Sequence, residues 1–132
     1  MQLYQKETLE NGLRLVTAAM PHTRSVSIGF FVGAGSRYES DDVAGISHFI
    51  EHLCFKGTPK RAAAKDIASA IEGVGGMLNG GTDKELTIHW SKVASIHFPL
   101  ALDVLEISCL IPSSMPMRLR GRGRLSLMKY TW

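Results

Sequence analysis

Apolar and polar positions along this chain switch between a period of two and a period near 3.6. Leu13-Arg14-Leu15-Val16 and the run from Val26 to Val32 read as strands, the second with Val26, Ile28 and Phe30 on one face. Met20-Pro21-His22-Thr23 is a turn-like break between them, and Gly33, Gly35 and Ser36 end the second. The pattern then becomes helical. At about 100° per residue, Val43, Ile46, Ile50 and Leu53 gather on one stripe, with His48, Glu51 and His52 roughly opposite. Ser40, Asp41 or Asp42 is placed to cap this helix, and Gly57 and Pro59 to stop it. It is expected to dock through its apolar stripe and to turn the polar side toward a cleft or water. A second helix is predicted over Ala62 to Glu72, stopped by Gly73, Gly75 and Gly76, and Met77 to Asn79 forms a short strand. Leu86 to Ser91 alternates, with one apolar and one polar face. Ser95 to Leu105 reads as a third helix with Ile96, Leu100 and Val104 on its apolar side. Strands and helices in this order predict an α+β fold, a mixed or antiparallel sheet packed against helices, rather than a doubly wound sheet.

The helix over residue 50 carries the chemistry. His48-Phe49-Ile50-Glu51-His52 reads H-x-x-E-H. Two imidazoles four residues apart lie one turn apart on the same side of a helix, so both can reach one metal ion. The glutamate between them is placed to take a proton from water activated at that ion. The bland alternative is a solvated helix face with two ordinary histidines.

The flanks bear on that choice. From Leu9 the chain runs Leu-Glu-Asn-Gly-Leu-Arg-Leu-Val. Ser25 to Gly35 follows, then Gly45-Ile46-Ser47 into the motif, then Phe55-Lys56-Gly57-Thr58. Later come Gly75-Gly76, Asn79, Thr82 and Thr87. Over about residues 5 to 105 this order resembles the pitrilysin, insulinase and mitochondrial processing peptidase family of zinc metallopeptidases. The resemblance implies Zn²⁺ held by His48 and His52, with Glu51 as general base. It implies hydrolysis of extended peptides or unfolded protein in a closed chamber, built with a further homologous domain or subunit. It places Asn79 at the substrate cleft. Here Gly80 and Gly81 follow Asn79, where the family has a residue with a side chain, and two glycines would loosen that edge.

Other features read as structural. The glycines at 73, 75 and 76 lack the Lys-Ser/Thr of a phosphate loop. Cys54 and Cys109 are too few and too far apart for a disulfide framework, and Cys54 reads as a small buried side chain rather than a third ligand. His89 falls on the polar face of its strand and is expected at the surface or hydrogen-bonded; His22 and His97 have no paired spacing. A chain of 132 residues suffices for one domain with a modest core, and resembles the first half of one catalytic unit. No stretch is apolar enough to span a bilayer, and Met1 to Glu10 is polar, with neither a signal-peptide core nor transit-peptide character. A cytoplasmic, bacterial setting with no membrane partner is expected.

Charge divides the chain. Residues 1 to 106 hold ten Lys/Arg and twelve Asp/Glu, a net of −2, whereas residues 107 to 132 hold five Lys/Arg and no acid. We therefore read 1–105 as the N-terminal portion of a catalytic domain and 106–132 as a basic tail outside the family pattern. Codons permitted for Glu106 to Trp132, read two bases along, can spell DILLDPIFDADEIEREREVILDEIHM over 26 codons. That string continues the third helix and resembles the family's next motif. One base lost near Glu106 would account for it. The family's third zinc ligand, a glutamate, would then take the position now held by Lys129. A cation there cannot ligate zinc.

The expectation is a zinc-dependent endopeptidase lineage, present here as a truncated or frameshifted fragment of impaired activity and poor solubility. One alternative is a non-catalytic, peptide-binding partner subunit of a processing-peptidase-like complex, which would have little need of His48, Glu51 and His52 together. Another is nucleic-acid binding by the basic tail. The tail has neither helical nor strand periodicity and no aromatic residue before Tyr130, so no nucleic-acid partner is expected.

Overall fold

The structure is a computed structural model, and it describes residues 4–110. Its elements are β1 (Gln5–Thr8), β2 (Arg14–Thr17), β3 (Ser25–Val32), α1 (Ile46–Cys54), α2 (Ala64–Glu72), β4 (Met77–Thr82), β5 (Thr87–Ala94) and α3 (Phe98–Leu110). They form two separate units, the first over residues up to Arg24 and the second from Ser25 onward.

The first unit is an antiparallel hairpin, β1 against β2, with Gln5 opposite Thr17 and Thr8 opposite Arg14. All eight strand residues are exposed. Strand β1, Gln-Lys-Glu-Thr, has no apolar alternation for a sequence reading to find. The expected turn is present: the Thr23 N–H and hydroxyl both donate to the Met20 carbonyl at 3.0 Å. The strands flanking it belong to different sheets.

The second unit is a three-stranded antiparallel sheet in the order β3-β5-β4, with helices packed against it. The α+β expectation holds, in its antiparallel form. In β3, Val26, Ile28, Phe30 and Val32 alternate half-buried with exposed neighbours, as the sequence predicts. Helices α2 and α3 close the core: Ile67, Ile71, Val93, Ala101 and Val104 are buried together, with Val26, Ile28, Leu78 and Leu100 at the margin. Burying such apolar side chains is the main favourable contribution to folding. Asp66 accepts the Ala63 N–H at 3.1 Å at the start of α2. Asp103 on α3 accepts from Lys60 at 2.5 Å and Arg61 at 2.8 Å, tying the segment after α1 to the third helix.

Three expectations are corrected. Strand β4 runs three residues past Asn79, because each residue to Thr82 finds a register partner on β5. The third helix begins at Phe98 with Pro99 in its first turn, where a missing N–H costs nothing. Ile96 therefore falls in a tighter turn, Ser95–His97, and is 79% exposed; Ala101, Val104 and Leu105 make the buried side instead. Strand β5 buries Thr87, His89, Ser91 and Val93 and leaves Ile88 and Trp90 half-buried, so its largely polar face is the inner one. The helix α3 continues through Glu106 to Leu110, and the remainder of the 106–132 tail, including Lys129, lies outside the described residues.

Candidate metal centre

The segment before α1 sets where the motif helix begins. The Ser36 and Arg37 N–H groups donate to the Asp83 and Lys84 carbonyls at 3.3 and 2.8 Å, and Arg37 pairs with Glu85. These contacts hold the loop against the β4–β5 turn. Ser40 and Asp42 hydrogen-bond each other in a short turn, Asp41–Val43, and cap nothing in α1. The helix starts at Ile46, after Gly45 takes a left-handed φ of 89°. Its exposed amides are met by Glu39, whose carboxylate accepts the Gly45 N–H at 2.6 Å and the Ser47 N–H at 2.9 Å. A carboxylate there suits the helix dipole. The Ser47 hydroxyl first, then these backbone donors, hold the Glu39 carboxyl below its usual range.

The faces of α1 differ from those predicted. Ser47, Glu51 and Cys54, at helical spacing, are buried together with Leu53, while Ile46 and Ile50 are half-buried and Val43 precedes the helix and is exposed. His48 and His52 are exposed, with ring centroids 4.4 Å apart and planes at 43°. Glu51 is thus split from the two histidines: it is only 9% exposed, and its Oε2 accepts the Thr82 hydroxyl at 2.8 Å. A carboxylate is tolerated against a sheet when the sheet presents a donor. Cys54 is fully buried, as expected, and burial first, then the Glu51 charge, pushes its thiol up to about 11.

An open cleft of about 560 Å³ lies between the Ser36–Glu39 loop, the start of α1 and the Gly80–Lys84 turn. His48 and Glu51 both line it. The donor set suits zinc as far as two imidazoles one turn apart go. Among the described residues no group of three or more His, Cys, Asp or Glu side chains is gathered to hold a metal ion.

The remaining sequence candidates fall elsewhere. Asn79 is exposed, its Oδ1 accepts the Gly80 N–H at 2.8 Å, and it does not line the cleft. The surface expectation for His89 is overturned. It is 3% exposed, its ring lies 5.4 Å from that of Phe55, and its Nδ1 has no hydrogen-bond partner among the described residues. Burial pulls its pKa below the ordinary value, against the pull of the Glu51 charge. Gly80 is closely packed, since a Cβ there would come within 2.7 Å of the Phe55 ring and 3.2 Å of His89 Nδ1, whereas one at Gly81 would meet nothing within 4 Å. His22 is exposed and His97 half-buried. The sequence reading missed Glu39 as a cap and Thr82 as the partner of Glu51. Glu39 folds back over six and eight residues, outside the spacing of a helix cap, and Thr82 meets Glu51 across 31 residues, so no helix-cap or helical spacing announces either.

Comparison with known proteins agrees with the motif. The family model described as insulinase, peptidase family M16, matches residues 14–113. An uncharacterized zinc protease of Bacillus subtilis, YmxG, is 44% identical over 103 residues, covering 78% of this chain and 25% of that protein. The probable mitochondrial-processing peptidase subunit beta of Arabidopsis thaliana is 42% identical over 98 residues, covering 74% of this chain and 18% of that one. A crystal structure of a protease from Helicobacter pylori superposes with a TM-score of 0.77 at 25% identity, over 83% of this chain and 26% of that chain. The chain spans about a quarter of the length of the curated relatives it matches. With its motif helix, its antiparallel sheet and a family match across 100 of its residues, the chain belongs to the insulinase family of peptidases, M16.

Proposed function

We propose that this chain carries the zinc-binding, catalytic helix of a metalloendopeptidase, and that as written it is a fragment of impaired activity. The observation that carries the reading is the pair of exposed imidazoles 4.4 Å apart on α1, of which His48 lines a cleft together with Glu51. His48 and His52 would hold the ion. Zinc bound there acts as a Lewis acid that polarises a peptide carbonyl and activates water at neutral pH. Glu51 takes the proton of the attacking water and returns it to the leaving amine nitrogen. Its second oxygen stays on the Thr82 hydroxyl and fixes the carboxylate's direction. The open cleft suits an extended peptide or unfolded protein, and the length of the relatives supports a further homologous domain or subunit to close over it. Relatives in Bacillus subtilis and Mycobacterium tuberculosis support a bacterial protein; no helix among the described residues is long and apolar enough to cross a membrane.

The impairment follows from the third ligand. Two imidazoles leave zinc short of protein donors, and the glutamate that the shifted reading frame supplies is replaced by Lys129. Resequencing the locus tests the frame directly, and an intact tail with no rescued reading would refute it. For the chemistry, the chain as written is compared with one whose tail follows the alternative frame. After dialysis the restored protein retains stoichiometric zinc and the present chain does not. Equal retention by both would contradict the assignment of the third ligand. Zinc retention by neither would contradict the metal site.

A further inference from the structure

Glu51 lies on the same short helix as the two imidazoles proposed to hold the metal. It precedes His52 directly and follows His48 by three residues, the spacing of helical neighbours. A glutamate has three side-chain torsions, and an ion held by only two imidazoles draws on any nearby carboxylate. Something must therefore keep Glu51 as a base rather than a ligand. On α1 itself nothing does: the residues that share its buried face are Ser47, Leu53 and Cys54.

The sheet supplies the restraint. Thr82 ends β4, paired in register with Thr87 of β5. The Thr87 hydroxyl has one proton, and it donates it to the Ala34 carbonyl at 2.9 Å; its distance to the Thr82 oxygen is a long 3.5 Å. Thr82 thus gives its own proton to Glu51 Oε2, at 2.8 Å. The carboxylate is drawn down to the sheet, 9% exposed, while the histidines on either side of it in sequence stand in solvent.

We propose that Thr82 is a positioning residue that keeps Glu51 out of the coordination sphere of a metal held by His48 and His52, and so reserves the carboxylate for proton transfer. The proposal rests on the metal reading above. It predicts that losing the hydroxyl strengthens metal binding, the reverse of ordinary damage to a site.

The experiment is calorimetric titration of the full chain with Zn²⁺ alone, at fixed pH, with circular dichroism as a check on folding. Thr82→Val, which keeps the shape and removes the donor, binds Zn²⁺ at least roughly tenfold tighter, the scale on which supporting contacts alter metal affinity. Thr82→Ser keeps the original affinity. Adding Glu51→Gln to Thr82→Val abolishes the gain. Glu51→Gln in the original background shows whether Glu51 already ligates, and Thr82→Ala, with the same expected gain, stands in should Thr82→Val not fold. A gain that survives Glu51→Gln, no gain in a folded Thr82→Val, or a large loss in Glu51→Gln alone each overturns the role of Thr82. Zinc binding that is indifferent to His48→Ala and His52→Ala, or absent from the original chain and from Thr82→Val alike, overturns the metal reading itself.

Discussion

Alkylation of Cys54 tests the orientation of α1, on which every statement about the site depends. Cys54 shares the inner face of α1 with Ser47 and Glu51, and none of its surface is exposed. Its thiol is pushed up to about 11, so at pH 8 about 0.1% of it is thiolate, against about a quarter for a free cysteine near 8.5. Since the thiolate is the reactive form, ionisation alone slows alkylation about two-hundredfold, and steric closure slows it further. The assay is iodoacetamide labelling at pH 8 with and without urea, followed by proteolysis and mass spectrometry of the peptide containing Cys54. We expect labelling in the folded chain to be at least about a hundredfold slower than in urea. Equal rates in the two conditions would mean that Cys54 faces solvent. The helix would then be rotated, Glu51 would leave the sheet, and the contact with Thr82 would not exist. The folded state favours the neutral thiol, so this group's contribution to stability is present below the unfolded pKa and is lost as pH rises above about 8.5.

Further expectations are open to measurement. His89→Phe removes a buried nitrogen that has no hydrogen-bond partner among the described residues, and urea unfolding at pH 7 should show no loss and up to about 1 kcal/mol of gain. Because burial depresses the His89 pKa, the unfolded chain takes up a proton first, so stability falls as pH drops below about 6.5; His89→Phe should flatten that part of the profile. Ile71→Ala, at a fully buried core position, should cost about 2–5 kcal/mol by the same unfolding assay. Asp103→Asn breaks the ties to Lys60 and Arg61, which are partly solvated, and should cost under about 1 kcal/mol, less at high salt.

What could be read in advance divides along physical lines. Period and punctuation depend on neighbouring residues, and the strands at Val26–Val32 and Leu86–Ser91, the three helices and the α+β layering were visible in them. So was the pair His48 and His52, because helix geometry alone sets their spacing. The inner face of β5 was not visible. Alternation shows that a strand has two faces, not which one packs, and here the face with Thr87, His89 and Ser91 packs because its polar groups find partners: the Thr87 hydroxyl donates to the Ala34 carbonyl, the Ser91 hydroxyl to the Met77 carbonyl, and the His89 ring lies against Phe55. The start of α1 was misplaced for a similar reason. Asp41 and Asp42 had the right chemistry for a cap, but the cap came from Glu39, folded back across a turn. Strand β1 is polar throughout and is defined only by its partner β2.

The central claim is that His48 and His52 bind one ion together. Imidazole NMR of the five histidines during Zn²⁺ titration tests it most directly. We expect the ring signals of His48 and His52 to shift together, saturating at one ion per chain, while His22, His89 and His97 stay in place. Independent titration of His48 and His52, or a response led by any of the other three, would contradict it.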